Sequence, residues 1–168
     1  TLKRGEIHAV LGENGAGKTT LMKVLYGMHR ADSGDIYLNG EKTVLKDSSA
    51  AIAKGIGMVH QHFMLIPVLS VTENIVAGKE PRRGLLYDHE EAVRQVNALA
   101  EKSGFSIDAR ARVESLSVGQ MQRVEILKAL YRGAEVLILD EPTAVLTPLE
   151  VQELFRALRA LRAEGKSI

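Results

Sequence analysis

The chain has 168 residues, 45% of them apolar and 26% charged, with a net charge of +1. That length suits one domain with a sizeable core, and the composition is that of an ordinary globular protein. The charge balance implies no general attraction to nucleic acid or a membrane surface. The absence of cysteine removes disulfides and thiolate metal sites, and no apolar run approaches the ~20 residues of a membrane span.

Thr1 to Gly5 is a short polar lead. Ile7 to Leu11 is an apolar run that reads as a buried strand. It feeds Gly12-Glu13-Asn14-Gly15-Ala16-Gly17-Lys18-Thr19, which fits G-x-x-x-x-G-K-[ST], the phosphate-binding loop. Apolar residues at helical spacing follow from Thr20 to Tyr26. The loop therefore sits between a strand and a helix, the context the motif needs. Gly12, Gly15 and Gly17 lack a Cβ, so the backbone can take positive φ and approach a ligand closely. N–H groups then converge on an anion at the helix N-terminus. Lys18 is placed to reach the β- and γ-phosphates and the Thr19 hydroxyl to ligate Mg²⁺. Gly12, Asn14, Gly15, Ala16, Gly17, Lys18, Thr19 and Thr20 are the candidate nucleotide contacts.

Asp35 to Leu38 alternates as a strand, Asn39-Gly40 is a hairpin turn, and Glu41 to Val44 is the return strand. Ser48 to Lys54 reads as a short helix ended by Gly55. Ile56 to Val59 is a short buried strand. Gln61 follows it directly, where it can ligate Mg²⁺ or hold an attacking water. Its neighbours His60 and His62 read as loop residues, since no third ligand is in view.

Phe63 to Val68 is apolar and broken by Pro67. Thr72 is the expected N-cap of a helix over Glu73 to Ala77. Lys79 to Gly84 is a basic surface loop. Asp88 caps a helix to about Lys102, with Ala92, Val93, Val96, Leu99 and Ala100 on its apolar face. Ser117 caps a helix to about Leu130.

Val136 to Leu139 is an apolar, β-rich run ending in Asp140-Glu141. Carboxylates at the C-terminal end of a parallel strand face the ligand crevice. Asp140 can hold Mg²⁺ through water, and Glu141 can act as the base or orienting group for a water attacking the γ-phosphate. Thr147 and Pro148 start the last helix as N-cap and N1, with Val151, Leu154, Phe155, Leu158 and Leu161 as its core stripe. The chain begins almost inside a strand and stops as a new apolar segment starts. The expectation is a piece of a longer protein.

The phosphate loop, Gln61, Leu116-Ser117-Val118-Gly119-Gln120 and the strand ending Asp140-Glu141 lie in one order along the chain. That order and spacing resembles the ATPase domain of ABC transporters over nearly the whole length. The resemblance implies a truncated P-loop α/β fold with a mixed sheet core and a small antiparallel part. Residues 1–62 and 113–168 would form the core, and about 63–112 an inserted helical subdomain touching a membrane-spanning permease.

The same resemblance makes Gln61 the Q-loop glutamine. Ser117, Gly119 and Gln120 become contacts to ATP held by an opposing ATPase domain, and Lys18, Gln61 and Glu141 the catalytic group. Mg²⁺ would sit among Thr19, Gln61 and Asp140. The stretches Gly57 to Leu65 and Asp140 to Thr147 are similar to importers of simple sugars and nucleosides, which carry two ATPase domains in one polypeptide. This chain looks like the N-terminal one. The implied setting is the cytoplasmic face of a membrane, with a solute-binding protein as indirect partner and no nucleic acid.

Three departures stand out. Thr147 replaces the family's usual Asp, which weakens cross-talk between sites. The γ-phosphate-sensing histidine would follow Ile168, and none of the five histidines fits it. The adenine-stacking aromatic would precede Thr1, and Tyr26 and Tyr37 are poorly placed to replace it. Weak nucleotide binding and slow or absent hydrolysis are expected of the chain alone. The competing readings are a soluble ABC ATPase of translation or DNA maintenance, or a regulatory domain that holds ATP without turnover. No N-K-x-D guanine-reading motif is present.

Overall fold

The computed structural model describes residues 1–168. The elements in chain order are α1 (Lys18–Leu25), β1 (Ile36–Leu38), β2 (Glu41–Thr43), α2 (Ser48–Ala53), β3 (Ile56–Val59) and α3 (Val71–Val76). There follow β4 (Arg82–Arg83), β5 (Leu86–Tyr87), α4 (His89–Lys102), α5 (Val118–Tyr131), β6 (Val136–Leu139) and α6 (Pro148–Ala163).

The central pairing is parallel: β3 lies beside β6 in register from Ile56↔Val136 to Val59↔Leu139. The other edge of β6 meets Ser167, whose carbonyl accepts from Leu137 N at 2.8 Å and whose N–H donates to Glu135 O at 2.9 Å. Ile168 in turn donates to Glu6 O at 2.9 Å and accepts from His8 N at 2.8 Å, again the parallel pattern. The spatial order is thus β3, β6, residues 167–168, residues 6–8. The hairpin β1–β2 turns through Asn39 and Gly40, at φ 53° and 83°, as the Asn-Gly signal requires.

Helix α5 is the hub of the core. Val124, Ile126 and Leu127 are fully buried, and the helix touches α3, α4 and β3. Where it meets β3, Gly57 permits the approach: a Cβ there would lie 2.9 Å from the Cβ atoms of both Ala129 and Ala134. Val71, Ile75, Val76, Ala92, Val93 and Val96 join the same hydrophobic cluster as Leu137 and Leu158. Residues 63–112 therefore share a core with the strands and α5. Each large side chain sealed in this cluster contributes on the order of 2 kcal/mol over its exposed state.

Four expectations are corrected. Residues 7–11 form no regular strand: Ile7 and Val10 are about two-fifths exposed and Leu11 is 90% exposed. Only Ile168 pairs with this segment, and a strand paired at a single residue has neither a ladder nor a covered face. The N-cap of α3 is Ser70, whose hydroxyl accepts from Glu73 N while the Glu73 carboxylate accepts from Ser70 N. Thr72 is instead fully buried and donates to Ala109 O at 2.7 Å. The surface loop at 79–84 carries β4, which pairs with β5. On α6, Phe155 points outward and Ala157 takes its place in the core.

Candidate functional site

Two glycines shape the phosphate loop. Gly15 and Gly17 sit at φ 83° and 88°, a region that strains any residue with a Cβ. Gly12 is not among the positive-φ glycines and serves by clearance: a Cβ there would lie 3.3 Å from Ala16 Cβ. The Ala16 N–H closes the turn on Glu13 O at 3.1 Å. Gly17 is the N-cap of α1 and offers no side chain to it. The first-turn N–H groups of α1 have no intrahelical acceptor, so their partial positive charge faces outward. Asn14 and Thr20 are exposed beside them. Lys18 folds over the loop, its Nζ donating to Gly12 O at 2.8 Å and Glu13 O at 2.9 Å.

The two acidic residues after β6 have different partners. Thr19 Oγ1 donates to Asp140 Oδ1 at 3.0 Å. Asp140 is buried, and its N–H donates to Val59 O at 3.1 Å at the end of β3. A hydroxyl and a carboxylate side by side are hard oxygen donors that suit a small divalent cation such as Mg²⁺. Glu141 stands at φ 50°, costly for a residue with a Cβ. Its Oε2 accepts from Gln61 Nε2 at 3.2 Å. Thr19 thus meets Asp140 and Gln61 meets Glu141, with Lys18 next to Thr19 and Asp140 next to Glu141 along the chain.

Two fastening residues escape the sequence reading. Gln122 on α5 is buried and donates from Nε2 to Pro142 O at 2.6 Å, fixing the loop behind Glu141. Glu125, one turn further, is also buried, and its Oε1 accepts from Met64 N at 2.6 Å. Lys128 donates to Met64 O at 2.8 Å. Burial holds its ammonium below the ordinary range, against the pull of Glu125. One helix thus ties down both the Gln61 loop and the Glu141 loop. The only signal in the sequence is polar residues at helical spacing inside a helix that must be buried.

Ser117 to Gln120 form a separate cluster at the start of α5. Ser117 caps the helix: Gln120 N donates to its hydroxyl at 3.3 Å, and Ser117 N donates to Gln120 Oε1 at 2.8 Å. The Gln120 carboxamide is thereby engaged within its own helix. Glu150 Oε1 accepts from Gly119 N at 3.2 Å and Ser117 Oγ at 3.3 Å. Glu150 was not among the expected site residues. Its other oxygen completes a capping box with Thr147, so Thr147 is the predicted N-cap and Pro148 follows at N1. Ser117 and Gly119 bond Glu150 on α6, Gln120 bonds Ser117 within its own cap, and none of these bonds leads to the phosphate loop.

Residues 1–144 match the ABC transporter family. The chain belongs to that family. Among curated ABC relatives, the guanosine import ATP-binding protein NupO of Bacillus subtilis is 51% identical over 99% of this chain and 33% of its own length. The ribose import ATP-binding protein RbsA of Chromobacterium violaceum is 52% identical over 100% of this chain and 34% of its own. The chain spans about a third of the length of these relatives.

Among solved structures, the ADP conformation of MJ1267, an ATP-binding cassette of an ABC transporter, aligns with a TM-score of 0.83 at 26% identity, over 98% of this chain and 68% of that one. A dimeric post-hydrolysis state of the cassette MJ0796, bound to ADP and Pi, aligns at 0.78 and 27% identity, over 99% and 74%. The ABC fold assigned from the four motifs is the fold observed.

Proposed function

We propose that this ABC chain is the nucleotide-binding part of an import ATPase, which binds ATP with Mg²⁺ and couples its hydrolysis to uptake of a sugar or nucleoside. The observation that carries the reading is the Thr19–Asp140 hydrogen bond, which joins the uncapped, Lys18-bearing helix N-terminus to the end of β6, where the next residue, Glu141, holds Gln61. The curated relatives are named for guanosine and ribose import, which favours transport over a soluble or purely regulatory ATPase.

In this reading the amides of 15–19 hold the phosphates. Lys18 exchanges the Gly12 and Glu13 carbonyls for phosphate oxygens. Thr19, Asp140 and Gln61 would hold Mg²⁺, which neutralises phosphate charge. Glu141 takes a proton from the attacking water, or orients it, and Gln61 positions the Glu141 carboxylate. Gln122 and Glu125 keep both loops in place from behind.

The partners follow from the same reading. Ser117 and Gly119 would meet ATP held on a second ATPase domain, and that domain belongs to the same polypeptide. ATP then favours the closed pair because only there does it touch both halves. Residues 63–112 would meet the permease, which receives solute from a binding protein. Met64, Ile66 and Val68, 65%, 51% and 61% exposed, offer an apolar surface joined through Met64 to α5. No helix is long and apolar enough to cross a membrane, and we place the protein peripherally on the cytoplasmic face.

The test uses the full-length protein. Glu141→Gln is expected to keep Mg-ATP affinity within about twofold, by calorimetry, and to lower turnover at least about a hundredfold. Unchanged turnover would place the working catalytic site elsewhere, in the second domain.

A further inference from the structure

The two helix starts that the ABC reading assigns to phosphate differ in what already lies on them. At α1 the cap is Gly17, with no side chain. At α5 a carboxylate of the same chain is in place. Glu150 Oε1 accepts from Gly119 N and Ser117 Oγ, at 3.2 and 3.3 Å. Glu150 Oε2 accepts from Thr147 N at 3.0 Å and Thr147 Oγ1 at 2.9 Å. One side chain thus joins the start of α5 to the start of α6, and α6 follows the loop that carries Glu141.

Two further observations mark this as an anion's place. A Cβ on Gly119 would overlap the Glu150 carboxylate, so glycine leaves room there for an acceptor. The charged form of Glu150 is favoured: the Thr147 N–H, with lesser help from Gly119 and Ser117, holds its carboxyl below the ordinary value.

The geometry points to Glu150 as the resident anion of the Ser117–Gly119 cradle, which the γ-phosphate presented by a second ATPase domain displaces on closure. This rests on the reading of Ser117 to Gln120 as the signature that faces that domain. A carboxylate and a phosphate repel, and each needs the same two donors, so both cannot keep them. On displacement Oε1 loses its partners at α5, while Oε2 remains with Thr147. The arrival of phosphate at α5 is then felt at the start of α6. Glu150 thereby sets the ATP concentration needed for closure. It also provides a link between the signature and the Glu141 loop, at the turn where Thr147 stands for the family's usual Asp.

The experiment titrates the full-length protein with Mg-ATP in a Glu141→Gln background, which holds ATP unhydrolysed. Closure is read by fluorescence energy transfer between labels on the two ATPase domains. Glu150→Gln removes the charge and keeps the shape, and is expected to lower the half-closing ATP concentration by about fivefold, as losing a charge-assisted competitor would. Glu150→Asp, one methylene too short to reach the cradle while still able to serve α6, is expected to shift it the same way, and serves if the Gln variant does not fold. Ser117→Ala should raise the half-closing concentration. An unchanged or higher value for both Glu150 variants, with Ser117→Ala impaired, overturns the displacement alone. A Ser117→Ala protein that closes normally overturns the signature reading and the proposal with it.

Discussion

The phosphate loop and the start of α5 are both helix N-termini approached by glycine, yet the chain completes them differently. At α1, Gly15 and Gly17 take left-handed φ and no side chain caps the helix. Lys18, in its first turn, is parked on two carbonyls. At α5 the glycine is there for clearance, Ser117 and Gln120 cap each other, and Glu150 fills what remains. An open N-terminus takes an anion without displacing anything. A self-capped one takes it only in exchange. On the proposed reading, the first would take the domain's own nucleotide directly and the second a neighbour's only in exchange for Glu150.

The sharpest way to break the contrast is at Lys18. Lys18→Ala removes the charge and the tether between Gly12, Glu13 and the helix. We expect Mg-ATP and Mg-ADP affinity to fall about a hundredfold by calorimetry, roughly two charge-assisted hydrogen bonds. Undiminished affinity would mean that the loop amides alone hold nucleotide.

Gly119→Ala tests the other helix start. The added methyl collides with the free end of a flexible side chain, so the fold should survive with a melting temperature a few degrees lower. In the full-length protein, half-closing ATP should rise by about tenfold, because the methyl fills the place of Glu150 and of the phosphate alike. A variant that closes at the wild-type ATP concentration would show that no phosphate approaches Gly119.

Helix α3 is the control, since it carries the same capping box with no proposed ligand. Ser70→Ala should cost about 1 kcal/mol in urea denaturation and leave nucleotide affinity unchanged. Glu73 adds a smaller, pH-dependent effect. The Ser70 N–H, then its hydroxyl, holds the Glu73 carboxyl below its ordinary value of 4.5. A lowered native value means that this stability is present above that pH and is lost as pH falls through the native value. Glu73→Gln should therefore lower stability slightly at pH 7, where the wild-type carboxylate is charged, and flatten the acid limb of the stability profile below about pH 4.5, where the wild type loses the same contribution. An acid limb of unchanged slope would remove Glu73 from that account.

Short-range chemistry was legible. The glycine spacing of the phosphate loop, the Asn39-Gly40 turn and the caps at Asp88, Ser117 and Thr147 each rest on contacts a few residues apart. The Ser70 cap was legible too, as Ser-x-x-Glu, but lost to Thr72, another hydroxyl two places on. The meeting of Thr19 with Asp140, 121 residues away, was reached only because both motifs belong to one known arrangement. Gln122 and Glu125 were not legible. Polar side chains on a helix read as solvated until it is known that α3, α4 and β3 close around it.

Residues 7–11 and Glu150 mark the boundary between the two kinds of information. By itself the sequence determined where the chain turns, caps and bends, because those choices depend on backbone sterics and on donors within one helical turn. It also marked the side chains for which phosphate chemistry is proposed. Tertiary structure alone decided that Leu11 stands exposed, since a strand is buried only by the strands and helices laid against it. It alone brought the Glu150 carboxylate to Gly119 across 31 residues, since the placing of α6 against α5 depends on their shared packing and not on either stretch of sequence.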